Sequence, residues 1–412
     1  MRILITAAGS RGDVAPYTGL GARLRTDGHE VAIATDELFA PLVRAAGLSF
    51  RSLPADPRTG GQAGGKRQLM TAAAAFAGRL GQGMAEAVTG AEGDVDLLLF
   101  SATTAPLGWH LAEATGVRSL DVHLTPNAPT GDFPPVVSGT RSLGRWGNRA
   151  VGRFSLRVTD RLFADAARTL RAELGLPPAE QAAVRRRQEE AGRPVLYGFS
   201  EALVEPPADW HPRHIVTGTW WPHRDTDRLP AVLEDFLAAG PPPVFVGFGS
   251  MPADDRERLS GLVVDALRRA GVRGVLQSGS AGLATDADDV LTIGDVPHEL
   301  LFPRVAAVVH HAGAGTTAAT LRAGVPSVPV PVMADQPFWA ARLVARGAAP
   351  AAVPFRKLTA EGLAAALTRA TTERTYADAA RRLAARVAEE DGAGRAAEIV
   401  AAEPAAVLGE RP

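Results

Sequence analysis

The residues best suited to chemistry lie in the run His310-His311-Ala312-Gly313-Ala314-Gly315-Thr316-Thr317. Gly313 and Gly315 let a backbone approach a ligand closely, and Thr316 and Thr317 open a helical segment whose first N–H groups and dipole favour an anion. A diphosphate asks for such a set: backbone donors, one or two hydroxyls, and an imidazole that donates from nitrogen, roles that His311 and Thr316 fit. The same residues also describe an ordinary glycine turn capped by threonine, because one glycine-rich loop is weak evidence taken singly. A second polar loop with glycines, Ala7-Ala8-Gly9-Ser10-Arg11-Gly12-Asp13, follows the first apolar run of the chain.

These loops need elements to position them. Short β-branched or leucine-rich runs at 3–6, 31–35, 95–100, 119–124 and 195–199 read as strands, and 16–27 and 37–46 carry apolar residues at helical spacing. The pattern weakens over 205–243, where Pro206, Pro207, Pro212, Pro222, Pro230 and the triplet Pro241-Pro242-Pro243 interrupt regular structure. It restarts with strands expected at 244–248, 274–277, 290–293, 307–309 and 327–330. Strand and helix in alternation predict an α/β fold of two doubly wound parallel sheets, with ligands in the loops after the strands. The expected division is a first domain over 1–205, a proline-rich linker over 206–242, a second domain over 243–385 and a helical tail over 386–412 free to return to the first.

Composition narrows the partners. A chain of 412 residues is too long for one ordinary core, which also favours two domains. Lysine and arginine number 44 against 45 acidic residues, so the net charge of -1 offers no global attraction to nucleic acid or anionic lipid, and any anion must be held locally. The absence of cysteine excludes disulfides, thiolate metal sites and cysteine nucleophiles. The apolar start reaches Gly9 and Ser10 too soon for a signal peptide, and Gly, Arg or Asp breaks every longer apolar run. The expectation is a cytoplasmic protein without stable membrane insertion, a monomer or weak homodimer.

The His310–Thr317 run, with Ala323-Gly324-Val325-Pro326 and Asp335-Gln336-Pro337 after it, closely resembles the donor signature of family 1 glycosyltransferases. The bacterial glycopeptide and macrolide glycosyltransferases and the sterol glucosyltransferases are the nearest in pattern. The likeness extends to Gly9-Ser10-Arg11-Gly12-Asp13-Val14 and to Val246-Gly247-Phe248-Gly249-Ser250-Met251, three motifs in the family's order. It implies a GT-B fold, two Rossmann-like domains facing across a deep cleft, and a UDP- or TDP-sugar as co-substrate with no other cofactor. By the same resemblance His311, Gly313, Gly315, Thr316 and Ser250 meet the diphosphate, Asp335 and Gln336 meet sugar hydroxyls, and the Val296 backbone meets the base. Plant members stack a tryptophan on the base and hold the ribose with a glutamate. Here no tryptophan stands near Val296 and Ala319 takes the glutamate's place, which leaves uracil or thymine open and puts ribose recognition elsewhere.

Transfer at an anomeric carbon needs a base for the acceptor's proton. Asp13 stands where the resembling bacterial enzymes place an aspartate; a helix cap is its alternative role. Ser10 and Arg11 steady that loop or the leaving phosphates. With helix dipole, His311 and hydroxyls to neutralise the leaving group, no metal is required. The resemblance puts the acceptor on the first domain, near 55–84 and 123–142, where Phe133 would line an apolar pocket for a polyketide, macrolide or terpenoid.

Other patterns carry less. Gly60-Gly61-Gln62-Ala63-Gly64-Gly65-Lys66 has P-loop spacing, but Arg67 replaces the magnesium-binding hydroxyl. Asp94-Val95-Asp96 lies at the start of a strand, away from any cleft, and the His310-His311 pair lacks a third ligand for zinc. Arg185-Arg186-Arg187 reads as a solvated helix face, and Trp220-Trp221 as interdomain packing or a platform for the donor. Two further functions remain open: an epimerase or hydrolase using the same donor cleft, and a catalytically silent donor-binding partner protein.

Overall fold

The computed structural model describes residues 1–54, 66–89, 95–224, 226–249 and 255–402. The P-loop-like run, Asp94, Ser250 and the end of the tail therefore lie wholly or partly outside the described residues. Two sheets organise the chain. The first has seven strands, β1 (Arg2–Thr6), β2 (Glu30–Thr35), β3 (Ser49–Ser52), β4 (Leu97–Phe100), β5 (Arg118–His123), β6 (Val195–Tyr197) and β7 (His214–Val216), in the order β3-β2-β1-β4-β5-β6-β7. The second has five, β8 (Val244–Gly247), β9 (Gly274–Gln277), β10 (Val290–Ile293), β11 (Ala307–His310) and β12 (Ser327–Pro329), in the order β10-β9-β8-β11-β12. Every pairing is parallel. These are the two doubly wound, Rossmann-like halves of a GT-B fold.

The helices on the first sheet are α1 (Arg11–Thr26), α2 (Ala40–Ala45), α3 (Lys66–Thr89), α4 (Ala105–Thr115), α5 (Gly144–Glu173) and α6 (Gln181–Glu190). Those that follow are α7 (Ala231–Ala238), α8 (Arg256–Arg269), α9 (His298–Leu301), α10 (Ala314–Ala323), α11 (Gln336–Ala345), α12 (Ala360–Thr372), α13 (Arg374–Ala388) and α14 (Gly392–Ala402). Helices on both faces explain why central strands such as β1, β4 and β8 are apolar rather than alternating. Ile3 and Ile5 enter one core layer with Leu20 and Leu24 of α1, while Leu4 enters the other with Leu107 of α4 and Phe163 of α5. In the second sheet Val244 and Val246 face α8 and α12, and Phe245 turns the other way onto Phe302.

Strand order marks where a ligand belongs. Each sheet reverses direction once, between β1 and β4 in the first and between β8 and β11 in the second, and the loops leaving those strands open at the switch point. Asp13 follows β1, Gly249 follows β8 and His311 follows β11.

The structure adds detail to the proline-rich stretch. Residues 214–216 form the edge strand β7, and Trp220 is fully buried in the first core beside Tyr17. Leu229, Leu233 and Leu237 pack under the second sheet, the last two from α7. Prolines flank these apolar groups without preventing their burial. Ala396, Ala397 and Val400 of α14 pack into the α1 layer, and Arg23 of α1 bonds Asp391 at 2.8 Å. Two local readings change. Helix α1 begins at Arg11 rather than near Pro16, and Arg185, read as solvated, is bound to the buried Asp160.

Between Trp221 and α1 the backbones touch, because a methyl added to Gly19 would lie 1.6 Å from the Trp221 carbonyl oxygen. A backbone atom cannot yield as a side chain does. Gly19→Ala is expected to cost roughly 1–3 kcal/mol of stability, read as a lower urea midpoint, although alanine ordinarily favours a helix.

Candidate functional site

The second sheet lays out its loops in a row. β11 pairs with β8 on one side, His310 opposite Gly247, and with β12 on the other, His310 opposite Pro329. The loops bearing Gly249, His311 and Asp335 are therefore neighbours, and the loop with Asp295 and Val296 follows β10 at the far edge. At about 4.8 Å per strand step the row runs roughly 19 Å, room for an extended nucleotide sugar.

At its centre the His311 imidazole is held between two glycines. A methyl on Gly249, whose φ is +59°, would approach its Cε1 to 2.7 Å, and one on Gly313 would approach its Nε2 to 2.4 Å. The His311 Nδ1 is buried without a hydrogen-bond partner, and burial pushes the ring's pKa down to about 4. His310, fully buried and accepting the Ala312 N–H at Nδ1, is pushed down to about 3 by the same cause. Both rings are neutral at physiological pH, and a neutral imidazole keeps one N–H to donate.

Next to His311, α10 begins at Ala314 with Gly313 as its N-cap and no side-chain cap. The first-turn N–H groups, those of Gly315 and Thr316 among them, lack partners within the helix and point from its positive end. Gly315 is exposed and Thr316 half-buried, while the Thr317 hydroxyl is buried and unbonded. The N-terminus of α1 is the reverse case. Ser10 is its N-cap, and Asp13 at the third helical position accepts from the Ser10 N–H at 2.7 Å and from its hydroxyl at 2.8 Å. A carboxylate of the chain's own stands in the first turn of α1, whereas the first turn of α10 carries no acidic side chain. The Ser10 hydroxyl, expected to steady this loop or the leaving phosphates, donates a hydrogen bond to Asp13 and orients it.

Asp335 is the N-cap residue of α11 and accepts the Trp339 indole N–H at 2.7 Å. Burial raises its carboxyl above the ordinary range, the Trp339 bond opposes this, and the charge of Asp13 from the other domain raises it further. Asp13, although partly open to solvent, is also raised by desolvation, against the two lowering bonds from Ser10. The charge of Asp13 is thus felt at Asp335. Arg11 and Asp295 approach to 4.0 Å at its rim, an exposed pair of little energetic weight.

Gln336 is buried, and its amide oxygen accepts from the Val332 and Met333 N–H groups at 2.8 and 3.1 Å. It braces the loop that presents Asp335. Val296 is half-buried against the cluster of Ile293 and Phe302, and Gln277 donates to Asp295 beside it at 3.1 Å. Phe133 is buried, its ring 5.2 Å from that of Phe338 with the Arg342 guanidinium over both. So seated between the domains, it leaves little ring surface for a ligand. Ser250 and residues 55–65 lie outside the described residues.

Three features escaped sequence reasoning. Ala312 (φ +63°) and Ala334 (φ +55°) are the two non-glycine residues with positive φ among those described, one after His311 and the other before Asp335. Such backbone is strained and concentrates at functional sites. Trp339, four residues after Asp335 and so on its helix face, was the third, and that spacing could have revealed it. Among the described residues no group of three His, Asp or Glu side chains could hold a metal ion.

Comparison with known proteins follows this layout. The chain matches the glycosyltransferase family 28 N-terminal domain over residues 3–118 and the erythromycin biosynthesis protein CIII-like C-terminal domain over residues 276–402. It is 37% identical to O-mycaminosyltylonolide 6-deoxyallosyltransferase of Streptomyces fradiae, covering 97% of both chains. A sterol 3-beta-glucosyltransferase of Arabidopsis thaliana is 32% identical over 89% of this chain, which spans 62% of that longer protein. The Streptomyces sp. SF2575 glycosyltransferase SsfS6, solved with thymidine diphosphate, superposes with a TM-score of 0.64 at 25% identity, covering 97% of this chain and 99% of its own. The chain belongs to the glycosyltransferase family that includes the Streptomyces fradiae deoxyallosyltransferase, and it is a glycosyltransferase.

Proposed function

We propose that the protein transfers a hexose or deoxyhexose from a UDP- or TDP-sugar to a hydroxyl of a small hydrophobic natural product, in one inverting step without a metal ion. In this reading residues 1–205 hold the acceptor and 243–385 the donor. The diphosphate lies on His311, Gly313, Gly315 and Thr316, with Ser250 beside them, the base on the Val296 backbone, and the sugar on Asp335 with Gln336 behind it. The acceptor oxygen attacks the anomeric carbon and its proton passes to the Asp13 carboxylate. The bond to the diphosphate breaks, and its electron pair leaves on a phosphate oxygen that the α10 N-terminus and His311 stabilise.

The observation that carries this reading is the contrast between the two switch-point helices: α1 carries its own carboxylate in its first turn and α10 carries none. That arrangement supports a base on one side and an anionic leaving group on the other. The thymidine diphosphate held by SsfS6 supports the donor class. The names of the deoxyallosyltransferase and the sterol glucosyltransferase support a lipophilic acceptor.

Mass-spectrometric screening of UDP- and TDP-sugars against mixed hydrophobic acceptors, with EDTA present, tests it. The expected product gains one sugar of inverted anomeric configuration. A retained configuration, loss of turnover in EDTA, or sugar released or isomerised without acceptor would each overturn it.

A pH prediction follows from the two raised carboxyls. Because both are raised, the acid limb of kcat/KM is expected above the ordinary aspartate range, with activity lost as pH falls through it. The repulsion belongs to the pair, so Asp335→Asn removes a negative neighbour and makes proton loss from Asp13 easier. Its acid limb is expected to move to lower pH, read from a pH–rate profile.

A further inference from the structure

The N-terminal half of α5 carries a pattern that sugar transfer does not use. Of the nine large apolar side chains exposed among the described residues, three, Trp146, Phe154 and Val158, lie on it and two more, Val137 and Leu143, in the segment leading into it, with Trp146 86% and Phe154 61% exposed. Arginine recurs at every fourth position from Arg141 to Arg161. Arg145 and Arg149 are paired, with Asp132 and with Asp209. Arg153, Arg157 and Arg161 are exposed and have no acidic partner among the described residues.

At 3.6 residues per turn these three arginines and Trp146, Phe154 and Val158 share an arc of about 140°. The opposite face is fixed to the protein through Asn148, Phe163, Ala167 and Leu170, all buried. The acids of the helix do not interrupt the arc's basic row. Asp160 is buried with Arg185, and Asp165 pairs with Arg168 further along. The result is a rigid, immobilised helix that shows solvent a row of free guanidinium groups beside bare aromatic rings, on a chain whose net charge is only -1.

We propose that this face of α5 docks on an anionic lipid membrane surface, the arginines on headgroup phosphates and Trp146 and Phe154 in the interfacial layer. A basic helix face with exposed tryptophan and phenylalanine is the composition that lies in such an interface. Guanidinium suits phosphate because its fork donates two parallel bonds. A second copy of this chain fits poorly, since a two-fold contact through the same face sets arginine against arginine. Docking is parallel to the membrane, for no helix among the described residues is long and apolar enough to cross one. The segment from β5 to α5 then faces the lipid. This inference does not depend on the transfer reaction, because its test reads binding.

The experiment sediments the full chain with vesicles of phosphatidylglycerol and phosphatidylcholine, and with vesicles of phosphatidylcholine alone, at low and high salt. Binding is expected to the anionic vesicles and to weaken about tenfold on neutral ones and at high salt. The variants W146S/F154S and R153Q/R157Q/R161Q are each expected to lose about tenfold in partition, with unchanged melting curves and unchanged turnover of a detergent-dispersed acceptor. Equal binding to neutral vesicles, or wild-type partition in either variant, overturns the proposal. So does retention on poly-glutamate without vesicle binding, which assigns the face to an acidic protein. Self-association of the free chain that the same substitutions abolish would assign it to a second copy, and overturns it too.

Discussion

Asp13→Asn is expected to lower kcat by roughly 10²–10⁴-fold, the usual range for removing a positioned general base, with donor affinity nearly unchanged. The amide is a fair isostere at this site. Its oxygen can still accept from the Ser10 N–H and hydroxyl, so the capping arrangement that closes α1 survives and the loop keeps its shape. What is lost is the ability to take a proton. Asp13→Ala is the informative contrast, because it also opens the helix end and is expected to cost about 0.5–2 kcal/mol of stability. Turnover measured under saturating donor, with TDP or UDP affinity by calorimetry, separates the two effects. Wild-type kcat in Asp13→Asn would remove the proposed base and leave the residue as a cap.

His311→Ala is expected to reduce kcat/KM by about 10–150-fold, the equivalent of one hydrogen bond of roughly 1.5–3 kcal/mol to a charged group. The ring is neutral before the donor arrives, since burial holds its pKa at about 4. It therefore binds as a hydrogen-bond donor, and its contribution should vary little between pH 6 and pH 9. A charged ring would instead lose its effect as pH rose. Gly313→Ala tests the seat of the ring. Its methyl would stand 2.4 Å from Nε2 and force the imidazole aside, so it is expected to approach the His311→Ala loss without removing the histidine. Unchanged kcat/KM in both variants would show that the diphosphate binds elsewhere.

Much of this arrangement was legible in the residues. Buried strands of a parallel sheet announce themselves as short apolar runs, and 274–277 and 290–293 were read with the bounds observed for β9 and β10. The two edge strands of the first sheet, β3 and β7, were not. β3 is Ser-Phe-Arg-Ser, and β7 is three residues between prolines; an edge strand needs neither two apolar faces nor length, so periodicity has little to register. The site shows the same limit. Types and spacing pointed to His311 and Thr316, and the resemblance to the family pointed to Asp335 and Asp13. Which of their atoms are already spent depends on contacts that no local pattern encodes. The Ser10 proton on Asp13, the Gln336 oxygen on the 332–333 amides and the burial of Phe133 against Phe338 are all of this kind.

Strain was equally illegible. Nothing in the composition of Ala312 or Ala334 signals a positive φ, and glycine would hold either conformation at lower cost. Alanine there limits the conformations open to the loops carrying His311 and Asp335. The two loops are neighbours only because β11 and β12 pair, a long-range fact of topology.

The central claim is that the open N-terminus of α10 takes the leaving diphosphate while Asp13 faces the sugar from the other domain. A crystal structure with a bound TDP- or UDP-sugar tests it most directly. The account predicts phosphate oxygens within hydrogen-bond reach of His311 and of the Gly315 and Thr316 N–H groups, the sugar hydroxyls at Asp335, and the anomeric carbon turned toward Asp13. A diphosphate seated away from α10, or a sugar turned away from Asp13, would contradict it.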